Sequence, residues 1–268
     1  MPEANFLSPL WDTQCNTFRV NLESIRKRPA GKNIHDLRVS FKKLKSVIHL
    51  VSTIPEEDIE GFTDTRQFFR ITGKYRDTAM SLSLINRICK EEKMTLPAFS
   101  DYLRNMCAIT KFAVKESAVL PVEVSLGQIN TIVKKQLEEY TEEELIRKIE
   151  TAGAAITEET EGLLEEFTKN AHTIRIKLKD LFYWLNHCPV NPFYNKKQMR
   201  SFDKVLTALG KWHDYLVLRN KLRYFRKEYL AKDTSEYEQA VKMEEVLLLI
   251  KQQWLANAAD KIKKPLFK

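Results

Sequence analysis

The sequence predicts an all-α protein built as two matched halves, and three observations carry that expectation. Gly is scarce, at 7 of 268 residues, and the 9 Pro gather at a few points, as suits a chain of helices ended by breakers. The stretches between those points have helical length, and none alternates polar and apolar residues with a period of two. A pair of short motifs also occurs twice at one fixed spacing, which marks an internal duplication. The halves it implies are residues 1–136 and 137–268.

Taken in order, a first helix is expected from about Pro9 to Lys27, ended by Pro29-Ala30-Gly31. A second helix carries His35 and is closed by Pro55 and Gly61. Further breaks fall at Leu96-Pro97, from Pro121 to Gly127, and from Pro189 to Pro192. Long antiparallel helices joined by short loops would pack as bundles. The acidic region that starts near Leu137 is expected to be the first helix of the second half. Its eleven Glu between Glu138 and Glu166 read as a solvated outer face, or as a surface that repels anions from the back of the molecule.

Charge narrows the function classes. The formal net charge is +8, and because the Glu-rich stretch holds only Arg147 and Lys148 as cations, the rest is more basic than the total. An anionic partner met at a local patch or groove is the expectation. Cys15, Cys89, Cys107 and Cys188 form no Cys-x-x-Cys pair, so a reducing cytoplasm is expected and a disulfide framework is not. Met1 to Leu10 has no basic stretch leading into an apolar one, and no 18-residue apolar run occurs. Neither a secretory leader nor a membrane span is expected.

The repeated motifs are His35-Asp36-Leu37-Arg38 with Gly73-Lys74-Tyr75-Arg76-Asp77, and His172-Thr173-Ile174-Arg175 with Gly210-Lys211-Trp212-His213-Asp214. His and Gly stand 38 residues apart in each copy, and matched positions differ by 137. On a helical wheel of about 100° per residue started at His35, Arg38, Lys42, Lys45 and His49 fall between about 280° and 340°. Leu37, Phe41, Leu44 and Ile48 fall between about 180° and 240°, making a core stripe. The second copy repeats that stripe as Ile174, Leu178, Leu181 and Leu185, and keeps His172, Arg175 and Lys179 as cations. Asp180 and Phe182 stand where Lys43 and Lys45 stand in the first copy, so the second is expected to be the weaker cationic surface. A merely solvated face would mix Glu among the cations for i,i+4 support. Arg38 to Lys45 holds no acid, which favours an anion-binding face.

The second motif lies inside a helix, where a Gly costs about 1 kcal/mol relative to Ala. Its recurrence suggests close approach of a neighbouring element, with Tyr75 and Trp212 packed on an adjacent helix. Asp77 and Asp214 could orient a cation toward a ligand. Helix N-caps or structural ion pairs are the alternatives.

Two such motif pairs in one chain resemble the CHAD domain, the conserved histidine α-helical domain. The resemblance implies two pseudo-symmetric four-helix bundles whose basic faces meet at a groove or pore that binds inorganic polyphosphate. It carries over to His35, Arg38, Lys42, Lys45, Lys74 and Arg76 of the first copy, and to His172, Arg175, Lys179, Lys211 and His213 of the second. His213 departs from the Arg at the matched position. The chemistry suits such a ligand, because Arg makes forked contacts to phosphate oxygens and Lys acts as a mobile point charge.

The expected function is therefore non-catalytic binding of inorganic polyphosphate in the cytoplasm, in association with polyphosphate granules, with no cofactor and no metal. No His-Glu-x-x-His spacing, phosphate-loop motif or Glu-x-Glu-x-Lys strand pattern occurs to favour a phosphoanhydride hydrolase. Nucleic acid is a secondary partner, or the chain a scaffold. Base stacking would need Tyr75 or Trp212 exposed.

Overall fold

The breakers act where the sequence places them, with two shifts. A computed structural model describes residues 5–118 and 121–262; the first four residues of the segment read for a leader lie outside it. Among the described residues there are nine α-helices and no strand: α1 (Leu7–Lys27), α2 (Gly31–Val51), α3 (Phe62–Glu91), α4 (Pro97–Ser117), α5 (Val122–Glu138), α6 (Glu142–Leu163), α7 (Phe167–His187), α8 (Lys196–Tyr229) and α9 (Ser235–Ile262). A 3-10 turn spans Glu56–Asp58. The break expected from Pro121 to Gly127 ends at Pro121, and Gly127 lies within α5. Leu137 also belongs to α5. The helix expected there begins at Glu142, where Thr141 and Glu144 close a capping box that satisfies orphaned backbone N–H groups. Asn195 and Gln198 do the same for α8.

Starts repeat along the chain. The first residues of α1 to α4, moved by the 137-residue offset of the motifs, land within three residues of the starts of α6 to α9. Gly61 precedes α3 at φ +81°, and a Cβ there would lie 2.4 Å from the Ser125 carbonyl oxygen. A left-handed residue pressed against α5 has to be Gly.

The core stripes face inward as the wheel requires. Leu37, Phe41, Leu44, Ile48, Ile174, Leu178, Leu181 and Leu185 are each at most 3% exposed. Burial of each is worth about 1.5–3 kcal/mol, so neither α2 nor α7 can rotate without losing most of it. The cationic stripe, which lies beside the core stripe at about 100° from it, is thereby aimed in a set direction. The apolar interior crosses the boundary near residue 137. One core joins α1, α2, α5, α6 and α7 to the first halves of α3 and α8. The other joins Leu84 and Ile88 of α3, Phe99 and Leu103 of α4, Leu218 and Leu222 of α8, and Met243 and Leu247 of α9.

Contacts between copies position the cationic helices. Trp184 of α7 donates its indole N–H to the Ser46 carbonyl of α2 at 2.7 Å. Arg87 of α3 donates to the Tyr215 hydroxyl at 2.6 Å, and Lys221 of α8 donates to Thr78 at 3.2 Å, so α3 and α8 pass in opposite directions. All eleven Glu from Glu138 to Glu166 are exposed, as a solvated outer face requires. No described helix is long and apolar enough to cross a membrane.

Candidate functional site

Four helices, α2 and α3 with α7 and α8, bring the repeated cations to one place. The guanidinium of Arg38 lies on α3, where Nη1 donates to the Phe69 carbonyl and to Thr72 Oγ1. Its Cζ stands 4.0 Å from the Phe69 ring centre. A Cβ on Gly73 would come within 3.0 Å of Nη1, so this glycine makes room for a guanidinium and not for a neighbouring helix. At Gly210 the same test meets nothing within 4 Å, and there the expected close approach is absent.

Arg76 of α3 reaches across to α8, with Nη1 3.5 Å from Asp214 Oδ1 and 3.9 Å from Asp77 Oδ1. Both aspartates lie well inside their helices, which removes the N-cap alternative and leaves them as ion-pair partners within the cluster. His213 stacks on His172 with ring centres 5.2 Å apart. Lys74 is exposed and Lys211 partly so, each about 100° round its helix from the repeated Gly.

The electrostatics read as crowded cations. Burial, followed by the charges of Lys179, Arg38, Arg175 and Arg76, lowers Lys42 to about 6. Burial, with Arg175 and Arg76, lowers Lys179 to about 8, although Asp214 and Asp180 oppose it. Arg38 falls to about 10 through burial, against the pull of Asp77, and Arg175 is lowered by burial against Asp214. His213 is pushed down to about 4 by burial, Arg175 and His172. His35 and His172 shift downward by partial burial, aided by Arg76 and Arg175 respectively. Asp77 is raised by burial, with Arg38, Arg76 and Lys221 opposing. Lys42 and Lys179 come from different copies, so both stripes act on one volume. Like charges held this close lower one another's affinity for protons, and an anion between them reverses that effect.

Several expected members are placed elsewhere. Lys45 pairs with Glu56 at 3.1 Å, which ties the end of the first stripe to the 3-10 turn. His49, between Glu56 and Asp180, donates from Nδ1 to Asp180 at 2.7 Å. Asp180 is thus a bond between copies as well as a gap in the second stripe. Phe182 packs edge-on against Phe202 at 5.4 Å. Outside the repeated motifs, Arg26 pairs with Glu123 at 2.9 Å, while Arg223 and Arg226 pair with Glu244 and Arg219 donates to its carbonyl. Trp212 is 5% exposed, too buried to stack on a base. Lys221 is a member that sequence reading missed. The matched residue is Leu84, so comparison of the repeats carries no signal for it. Among the described residues no group of three or more His, Cys, Asp or Glu could hold a metal ion.

Fold and site together define an all-α protein in which α2, α3, α7 and α8 bring buried cations close to one another. The chain belongs to the CHAD domain family, whose model matches residues 10–223. The structure is similar to the crystal structure of the CHAD domain from the plant Ricinus communis, with a TM-score of 0.71 and 16% identity over 96% of this chain and 88% of that one. No curated protein matches the sequence.

Proposed function

We propose that this chain is a non-catalytic binder of inorganic polyphosphate, held in the cationic centre between α2 and α3 of one copy and α7 and α8 of the other. Residues 1–136 and 137–268 serve in this reading as two repeats of one binding domain. The observation that supports it most is the crowding of buried cations from both copies: beyond burial, Lys42 is lowered by Lys179, Arg38, Arg175 and Arg76, and Lys179 by Arg175 and Arg76. A polymer carrying roughly one charge per phosphate is a suitable occupant, since counterion release drives its binding to Lys and Arg. The contacts assigned to it are Lys42, Lys74, Arg76, Arg175, Lys179 and Lys211, with His35, His172 and His213 as further donors and Asp77 and Asp214 orienting the arginines. In a cell the place of such a protein would be the cytoplasm, beside polyphosphate granules.

The test is a titration with long-chain polyphosphate at several salt concentrations. Six contacts give a slope of log K against log salt of about −4, using roughly 0.7 per contact for a single strand. A flat salt response overturns the reading. RNA that competes equally per phosphate would favour a general polyanion binder, and release of orthophosphate would favour a hydrolase.

A further inference from the structure

The matched arginines of the two copies are held differently, and the difference is written in the residues beneath them. Arg38 sits in a made-to-fit seat: the Phe69 ring under its Cζ, the Phe69 carbonyl and Thr72 hydroxyl as acceptors, and Gly73 leaving the space. The whole residue is 9% exposed. The positions matching Phe69 and Thr72 in the second copy are Leu206 and Leu209. These offer neither a π face nor a hydroxyl, and Gly210 has nothing packed against it. Among the described residues Arg175 makes no hydrogen bond and no ion pair, and its buried Nε has no partner. Nε of Arg38 also lacks one; the contrast lies at the terminal nitrogens. Beside Arg175, His213 leaves a buried Nδ1 without a partner as well, and it stands where the first copy has Arg76, which is engaged with Asp214 at 3.5 Å.

We propose that Arg175, with His213 beside it, makes the principal contact to the bound phosphate chain, whereas Arg38 is a brace that locks α2 onto α3. This rests on the polyphosphate reading and deepens it. The terminal nitrogens of Arg175 hold no acceptor among the described residues, and phosphate oxygens supply the forked acceptors a guanidinium takes. The brace already has its acceptors and would lose them on turning to a ligand. Asp180 and Phe182 thin the second stripe, yet the copy with fewer cations holds the arginine that is free to bind. On this proposal the second copy makes the stronger contact, against the expectation drawn from the number of cations in each stripe.

Three variants test this by polyphosphate titration and thermal melting. Arg175→Ala should weaken binding of long-chain polyphosphate at least tenfold and reduce the salt slope by about 1, with the melting temperature of the free protein unchanged. Arg38→Ala should lower the melting temperature by several degrees and leave affinity within about threefold. The double change Phe69→Leu with Thr72→Leu removes the seat but keeps the arginine, and should lower the melting temperature with affinity retained or tightened. Equal loss of affinity in Arg38→Ala and Arg175→Ala, with equal melting temperatures, overturns the division. If the parent protein binds no polyphosphate, the functional reading fails by itself, and the melting temperatures of the Arg38 and Phe69/Thr72 variants still decide whether the brace exists.

Discussion

Binding of a polyanion to this site is expected to take up protons. Lys42 titrates at about 6 and Lys179 at about 8 in the free protein. At pH 8 about one Lys42 in a hundred and about half of Lys179 therefore carry a proton. Phosphate oxygens placed among them favour the charged forms, so both rise toward the ordinary lysine range on binding. Uptake is then about 1.5 protons per site at pH 8 and about one at pH 7. Since these groups are cations lowered in the free state, affinity falls as pH rises between the free and bound values. The fall is about tenfold to thirtyfold per pH unit near pH 8, because each proton taken up is one decade per unit. Isothermal titration calorimetry with long-chain polyphosphate, in two buffers of equal pH and different ionisation enthalpy, reads the number directly. In Lys42→Met uptake at pH 8 should drop to about half a proton. Heats independent of buffer, with an affinity flat from pH 6 to 9, would refute the claim that the cations share one unscreened volume.

Two further outcomes follow from packing. Gly210→Ala should stabilise the protein by about 0.5–1 kcal/mol, the helix propensity of Ala gained in open space, whereas Gly73→Ala should destabilise it by about 1–2 kcal/mol because the Arg38 guanidinium is pinned and cannot retreat; equal melting temperatures for the two variants would contradict the seat described for Arg38. His49 is held up at about 9, against the lowering effect of burial, by its hydrogen bonds to Asp180 and Glu56. A raised histidine contributes its full stabilisation below the unfolded value near 6.5 and loses it as pH rises through about 9. The gap in melting temperature between the parent and His49→Ala should therefore close between pH 6.5 and 9.5, and a gap constant over that range would refute the bridge.

Much of the architecture was legible because its causes are local. Pro29 and Pro189 stand just past the ends of α1 and α7, and Pro97 opens α4 at its first residue, each through its own fixed backbone geometry. The stripe of Leu37, Phe41, Leu44 and Ile48 points inward because helical periodicity and burial leave it no other direction. Cap chemistry at Thr141 set one of the two shifted boundaries, since the acidic run after Leu137 masks a turn. The site was legible as a list of residues, through the repeat, but not as a set of roles. Lys45 looked like the fourth cation of a stripe until Glu56, eleven residues on, took it. Asp180 looked like a defect until His49, 131 residues away, met it.

By itself the amino-acid sequence determined the helices, which face of each is apolar, and which cationic positions recur in both halves, all properties set within one or two turns of the chain. Only the tertiary structure decided which of those cations are already satisfied. Arg38 is committed to the Phe69 carbonyl and ring, while Arg175 makes no hydrogen bond or ion pair among the described residues. A side chain's electrostatic state depends on neighbours brought in by packing, and no pattern along the chain encodes their distance.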